Sequence, residues 1–294
     1  MTAQKHPSWL FENLSDFLTL YDTIENECDE AEGAGEGMEK KLFFFDIDGT
    51  LTDRSTGKVV PSAKRALELL EEQGHFVSIA TGRAHYKCRD LLEELGLENM
   101  VCSGGMGVVI KNKLVKNTPL DKKEALAVIH QAEEQGVGVL IATDDSEKVY
   151  GKNDLFRQQV GPRQEPTEYF IDPTFNVDEA ADIFKFYLAL PKEQDHLIPE
   201  PKNFSKLRFV PEYTMCQHDN KKQGILDVLD YFERPAQDVV VFGDDVNDLV
   251  MFDKRWTSIA MGNAVDELKV QADYVTDRNV DDGIYNACRK FGWI

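Results

Sequence analysis

Leu42-Phe43-Phe44-Phe45-Asp46-Ile47-Asp48-Gly49-Thr50 is the stretch on which the reading of this chain turns. Four apolar residues without a polar break suit a strand buried on both faces of a parallel sheet. The run stops at a carboxylate, and a second carboxylate follows two residues later on what must be a turn. Such a pair can divide labour, one attacking an electrophile while the other moves protons. Gly49 lets the chain turn tightly and bares backbone N–H groups to an anion.

The same pattern recurs outward from this stretch. Pro61-Ser62 opens a helix through Ala66, Leu67, Leu69 and Leu70, closed by Gly74. Phe76–Ala80 is a second apolar strand, ending in Thr81-Gly82-Arg83, and a helix follows over about 84–95. Asp238–Phe242 is a third strand, ending in Gly243-Asp244-Asp245-Val246-Asn247-Asp248. After it come a short helix, strands at Ser258–Met261 and Tyr274–Thr276, and a last helix from about Asp282. Strands alternating with helices imply an α/β, doubly wound, mostly parallel sheet, in which ligands sit beyond the carboxyl ends of the strands. The acids and Thr81 all fall at such ends.

Three carboxylates within five residues (Asp244, Asp245, Asp248) repel one another unless a cation joins them. Hard oxygen ligands with room for waters suit magnesium. The alternative is an acidic start to the following helix. Thr81-Gly82-Arg83, between strand and helix, forms an anion seat from a hydroxyl and helix-terminal N–H groups, though Thr-Gly is also an ordinary capping pair. Lys221 and Lys222 open the helix at Gln223–Phe232, where the macrodipole disfavours a cation unless an anion lies nearby.

Between 115 and 206 the pattern changes, and this block is expected to be a small α/β domain inserted into the first, leaving a core of 41–114 and 207–294. Within it Ala181–Leu190 fits helix or strand equally. Residues 1–40 stand apart, with ten acids against two bases. Residues 9–24 carry apolar side chains at helical spacing, and Glu27–Glu39 reads as a flexible acidic linker. The segment is expected to be a loosely packed extension, with self-association or protein docking through 9–24 as the alternative.

The chain of 294 residues carries a formal net charge of −20. That surface repels nucleic acid and anionic membrane, and no basic patch offsets it. No apolar run is long enough to span a bilayer and no secretory signal opens the sequence, so the protein is read as soluble and cytoplasmic. Five singly spaced cysteines argue against disulfides or a zinc site. A phosphate ester would be drawn to so acidic a protein only by local positive charge.

Taken in order, Asp46-Ile47-Asp48-Gly49-Thr50, Thr81-Gly82-Arg83, Lys221 and Gly243-Asp244-Asp245-Val246-Asn247-Asp248 resemble the motifs of the haloacid-dehalogenase superfamily, in its Cof-like subfamily IIB with a large inserted cap. The likeness runs from Lys41 to the C-terminus and includes Ala260–Ala264, Ala272–Thr276 and Asp282-Gly283. It implies a Rossmann-like core and a magnesium-dependent phosphatase acting on a small phosphorylated metabolite, a sugar phosphate above all. By matched position, Asp46 would be the nucleophile that becomes an aspartyl-phosphate and Asp48 the acid and then base. Thr81 and Lys221 would hold phosphoryl oxygens, Gly82 and Arg83 would line the substrate pocket, and Asn247 would lie near the phosphate. Asp46, the backbone carbonyl of Asp48, and Asp244 would ligate Mg2+, helped by Asp248. Two departures stand out. Lys221 is followed by Lys222 where the family has glycine, so Lys222 is the alternative lysine, and Gly104-Gly105-Met106 replaces Asn-Gly-Ala. A phosphomutase of the phosphomannomutase type shares the first motif, and an idle binding or regulatory member is a further alternative.

Overall fold

The computed structural model describes residues 39–294. The expected helix at 9–24 and nearly all of the linker lie outside the described residues. Eight strands form one sheet: β1 (Leu42–Phe45), β2 (Phe76–Ala80), β3 (Met100–Cys102), β4 (Gly107–Ile110), β5 (Lys113–Asn117), and three more from the C-terminal part of the chain. Six more, β6 (Val139–Ala142), β7 (Lys148–Gly151), β8 (Glu168–Ile171), β9 (Lys185–Leu188), β10 (Ser205–Val210) and β11 (Tyr213–Gln217), form a second sheet. The chain then returns for β12 (Val239–Gly243), β13 (Thr257–Ala260) and β14 (Tyr274–Val275). The α-helices are α1 (Pro61–Glu72), α2 (Arg89–Leu95), α3 (Lys122–Glu134), α4 (Leu155–Val160), α5 (Lys221–Tyr231), α6 (Asp266–Gln271) and α7 (Gly283–Lys290).

The larger sheet has the order β14-β13-β12-β1-β2-β3-β4-β5, parallel from β14 to β3 and antiparallel beyond. All four side chains of β1 are buried, as the apolar run predicts. Full burial of each is worth about 1.5–3 kcal/mol. Alternation sends them to opposite faces. Phe43 meets Trp293, just beyond α7, at 5.0 Å between ring centroids. Phe44 meets Phe76 at 5.9 Å, and Phe76 meets Phe232, at the end of α5, at 5.2 Å. Helices therefore cover both faces, which makes the core doubly wound. From β1 the chain runs outward to β2 and β3 on one side and returns to β12 on the other. The order reverses beside β1, and the crevice at such a switch point is where this architecture places ligands.

The second sheet, β10-β11-β9-β6-β7-β8, is antiparallel except for the β7–β8 pair. It has its own apolar core, including Ile129 of α3, Phe156 of α4 and Phe186 of β9. Ala181–Leu190, ambiguous by periodicity, contains strand β9, whose side chains are all buried. The expected limits at 114/115 and 206/207 do not follow sheet membership. Strand β5 completes the larger sheet through Asn117, whereas the β10–β11 hairpin belongs to the smaller sheet because β11 pairs with β9. The sequence hides this, since β10 is half exposed and carries no continuous apolar run. The two crossings between sheets lie side by side: His218 Nε2 sits 3.1 Å from the Pro119 carbonyl. The helix expected over 84–95 starts as a 3-10 turn at His85–Cys88 before α2 begins.

Gly105 shows why glycine stands in the altered Gly104-Gly105-Met106 segment. Its φ is +92°, and an added Cβ would lie 2.0 Å from the Asn220 carbonyl oxygen and 2.8 Å from Lys221 Cα. The loop after β3 presses directly on the start of α5. Gly105→Ala is expected to cost about 2–3 kcal/mol through the clash and the strained backbone. Urea unfolding checks this as a lower midpoint at unchanged slope.

Candidate active site

Each sequence-predicted residue except Lys221 comes from a strand end or the turn after it. Asp46 continues β1, its N–H donating to the Phe242 carbonyl at 3.0 Å. Asp244 and Asp248 follow β12, and Lys221 opens α5. These four side chains are all buried. Lys221 Nζ donates to Asp46 Oδ1 and to Asp248 Oδ1, each at 2.6 Å. That explains a lysine at a helix start: two carboxylates answer the macrodipole and hold the ammonium's pKa above its usual range. Lys222 points elsewhere and pairs with Asp253 at 3.4 Å. Asp248 spends its other oxygen on the N–H groups of Asp244 (2.9 Å) and Asp245 (3.1 Å), fixing the turn after β12.

Carboxylate oxygens of Asp46, Asp244 and Asp248 lie within 4.8 Å of one another. Burial pushes Asp46 up to about 6, against the pull of Lys221. Burial pushes Asp244 up to about 7, with Asp46 and Asp248 adding to the shift and Arg54 opposing it. So compact a set of hard oxygens has room in its charge balance for a cation, and its chemistry fits a divalent metal. Asp48 does not join this cluster through its side chain. Its carboxylate is exposed and gripped through both oxygens by Arg83 at 2.8 Å. Its backbone carbonyl accepts from Arg54 Nε at 3.0 Å, and the same guanidinium reaches Asp244 Oδ2 at 3.0 Å and Asp245 Oδ2 at 2.6 Å. The Asp48 carbonyl and Asp244 thus face one common cation, as ligands of a single ion would.

Thr81 is buried, and its hydroxyl accepts from the Arg83 N–H at 3.2 Å. The Gly82 carbonyl is held by Gln217. Arg83 serves Asp48 rather than standing free toward a substrate. Asn247 is exposed, and its side chain has no protein partner among the described residues. Gly49, at φ +94°, answers the turn reading in a stricter way: a Cβ there would lie 2.2 Å from Asp244 Oδ2.

Sequence reasoning missed Arg54, Thr50 and Asn263. Thr50 Oγ1 donates to Asp244 Oδ1 at 3.2 Å. Asn263 Nδ2 donates to the Gly49 carbonyl at 2.8 Å, tying the first turn to the closing segment. Asn263 had a signal, since it lies in the Ala260–Ala264 segment; Arg54, eight residues beyond Asp46 in a polar loop, had none. His85 pairs with Asp145 at 2.9 Å and His130 with Asp178 at 3.1 Å. The described cysteines, Cys88, Cys102, Cys216 and Cys288, are buried and free. Among the described residues no helix is long and apolar enough to cross a membrane.

This is a hydrolase-type α/β core with an acidic, lysine-bridged site at its switch point. A family model described as haloacid dehalogenase-like hydrolase matches residues 43–288. YkrA of Bacillus subtilis (strain 168), named provisionally as a phosphatase, is 32% identical over 260 residues, spanning 87% of this chain and 99% of its own. A phosphoglycolate phosphatase of Nitrosopumilus maritimus is 27% identical, spanning 86% of this chain and 96% of its own. Among solved structures, the subclass IIB sugar phosphatase BT4131 superposes with a TM-score of 0.66 at 25% identity, covering 87% of this chain and 100% of that one. The chain belongs to the haloacid dehalogenase-like hydrolases, in their Cof-like IIB branch, and is a phosphomonoester hydrolase of that type.

The raised Asp244 gives a stability prediction. Its folded-state pKa lies near 7 against an ordinary 3.8, so the native state binds its proton more tightly, and stability falls as pH rises between those values. Asp244→Asn should therefore stabilise chelated protein at pH 8 by on the order of 1 kcal/mol, with the difference fading toward pH 4. Urea titrations in EDTA at both pH values test this. A variant less stable than wild type at pH 8 would show that the Arg54 and Thr50 contacts outweigh the repulsion.

Proposed function

We propose that the chain is a magnesium-dependent phosphatase that hydrolyses a small phosphorylated metabolite, of the sugar-phosphate kind, through an aspartyl-phosphate on Asp46. The observation that carries this is the Lys221 ammonium held between Asp46 and Asp248 inside an acidic cluster at the end of β1. Asp46 Oδ1 is committed to Lys221, while Oδ2 has no hydrogen-bond partner among the described residues, so that oxygen is the attacking one. Its bond to phosphorus forms as the ester oxygen leaves. Asp48 gives that oxygen a proton and later takes one from the water that hydrolyses the acyl phosphate. Arg83 orients Asp48 for both steps. Thr81 and Lys221 hold the transferring phosphoryl oxygens, Gly82 and Arg83 border the pocket, and Asn247 reaches the phosphate from the exposed turn.

Asp46, Asp244 and the Asp48 carbonyl would hold Mg2+, with Asp248 supporting the turn. When bound, the ion would neutralise charge on the phosphoryl group, the main requirement of phosphoryl transfer. Arg54, which contacts two of those three ligand groups, would have to withdraw. The six-stranded sheet is read as a cap over the core, and the first forty residues as an extension dispensable for the chemistry. Such an enzyme has no need of nucleic acid or membrane, and a cytoplasmic site of action fits its singly placed cysteines.

Two measurements test the reading. Asp46→Asn keeps shape but removes the attacking charge, so p-nitrophenyl phosphate turnover should fall at least about 1000-fold in a folded protein. Chelation should abolish turnover and magnesium restore it, while calcium, with its larger and looser shell, should not. A folded Asp46→Asn variant of near-normal activity, or full activity in exhaustively chelated protein, would overturn the mechanism. Turnover that required a bisphosphate activator and released no phosphate would mark a mutase instead.

In Asp48→Asn the nucleophile and the backbone ligand survive, and proton transfer is lost. Phosphoenzyme formation from alkyl phosphates should then suffer about 100-fold or more, and from nitrophenyl phosphate much less, because nitrophenolate leaves without a proton. Rapid-quench measurement of the burst with both substrates separates the cases. Equal losses would remove Asp48 from acid catalysis.

A further inference from the structure

Between the turn after β2 and the six-stranded sheet lies a narrow cleft, part of it open to solvent. Ala84 and Ser103 form its floor and adjoin the Thr81-Gly82-Arg83 turn, Ser103 N donating to the Arg83 carbonyl at 2.7 Å. Gln217, at the end of β11, is anchored to the same turn: its Nε2 donates to the Gly82 carbonyl at 3.2 Å. Lys185 and Arg163 enter from the six-stranded sheet and the loop after α4. The cleft is thus continuous with the turn that borders the proposed phosphoryl site.

Three polar groups lining it lack a protein partner. Arg163 Nε and Gln217 Oε1 are buried without a hydrogen bond. Lys185 is 8% exposed, Arg163 6% and Gln217 2%. Lys185 makes no hydrogen bond or ion pair among the described residues, and burial, with the charge of Lys87 next, drives its pKa down to about 7. An unpaired ammonium in so dry a place is costly. An apolar residue would serve the fold better there, since β9 is otherwise buried and pairs Lys185 with Ala142.

The acids nearby are already engaged by protein donors. Asp145 accepts from the Tyr86 N–H at 3.2 Å and pairs with His85 at 2.9 Å. Asp144 accepts from Ser146 Oγ. Glu165 is taken by Lys87 and by Arg163 at 2.6 Å. What remains unsatisfied at the wall of the cleft is a cation and an N–H donor, beside one acceptor.

We propose that this cleft receives the leaving-group end of the substrate, and that this end carries an acidic group, a carboxylate or a second phosphate, bound by Lys185 Nζ and Arg163 Nε with Gln217 Oε1 accepting from an adjacent hydroxyl. The inference rests on the phosphatase reading and narrows it: the substrate is a phosphorylated hydroxy acid or sugar acid, or a bisphosphate, rather than the phosphate of a neutral alcohol.

The test uses the full chain with magnesium and a series of ω-phosphooxy carboxylic acids of increasing length, each beside its carboxamide, with α,ω-bisphosphates as a second arm. In the wild type, kcat/KM for the best acid or bisphosphate should exceed that of its neutral counterpart by about 10- to 100-fold, chiefly through KM. The two arms show which acidic group is preferred. Lys185→Met, which keeps length and removes charge, should cut this preference at least tenfold, and Lys185→Arg should restore part of it. Equal turnover of acid and amide in the wild type, or a preference that survives Lys185→Met intact, would overturn the inference. The wild-type comparison decides even if the variant fails to fold. Hydrolysis of p-nitrophenyl phosphate with no acid preference would refute this inference alone. Absence of turnover with any ester would refute the phosphatase reading and this inference with it.

Discussion

A lysine ammonium buried between two carboxylates is the constraint on which the rest of this structure depends. Lys221 is 1% exposed and its partners Asp46 and Asp248 are similarly enclosed. Taking three charges out of water is tolerable only if each has a close partner of opposite sign. The bond to Asp46 joins residues 175 apart in the chain, so β1 and α5 must meet at one register. Asp248 extends the requirement to the turn after β12 by accepting two of its backbone N–H groups. The glycine loop after β3, pressed on the start of α5, supplies the remaining boundary. Sheet order, helix start and turn geometry are consequences of seating one ammonium.

What was legible in the sequence followed from this constraint. A buried strand ending in an acid is readable because four apolar residues and a carboxylate are adjacent, and the same holds for Asp244 and Asp248. Lys221 was readable as an electrostatic anomaly at a helix start and by its place in the motif order, with Lys222 as the alternative; the structure pairs Lys221 with Asp46 and Asp248 and Lys222 with Asp253. Arg54 was not readable at all: of its three acceptors, two lie on the distant turn after β12, and nothing local distinguishes it from a solvated arginine. The limits of the second sheet were misplaced for a similar reason, because β10 and β11 join it by pairing with β9, a long-range fact with little trace in a half-exposed hairpin. Lys185 sat unnoticed inside an apolar stretch whose periodicity was ambiguous.

The acidity of the chain and the demands of an anionic substrate are reconciled by distance. A net charge of −20 acts over the whole surface, yet screening confines each exposed charge to roughly 10 Å at ordinary ionic strength. Within the crevice the balance differs, since Lys221, Arg54 and Arg83 all face carboxylates at the ends of β1 and β12. These cations are held in place by the very acids that surround them. Arg83 is the clearest case: its Nη2 reaches both oxygens of Asp48, which spends a guanidinium on positioning a side chain.

The two sheets share more than a chain. The paired crossings at Pro119 and His218, and the bond from Gln217 to the Gly82 carbonyl, fasten the smaller sheet to the turn that holds Thr81. A shift of the smaller sheet would therefore pull on the floor of the phosphoryl site, and a ligand that filled the cleft beside Lys185 would bear on both. The unsatisfied groups of Arg163, Lys185 and Gln217 lie on that boundary, all carried by the smaller sheet and its loops. Polar groups left bare inside a single apolar core would only weaken it. Placed between two sheets and beside the Thr81-Gly82-Arg83 turn, they would give an occupied state a favourable difference over the empty one, which is the physical requirement for a cleft to select what enters it.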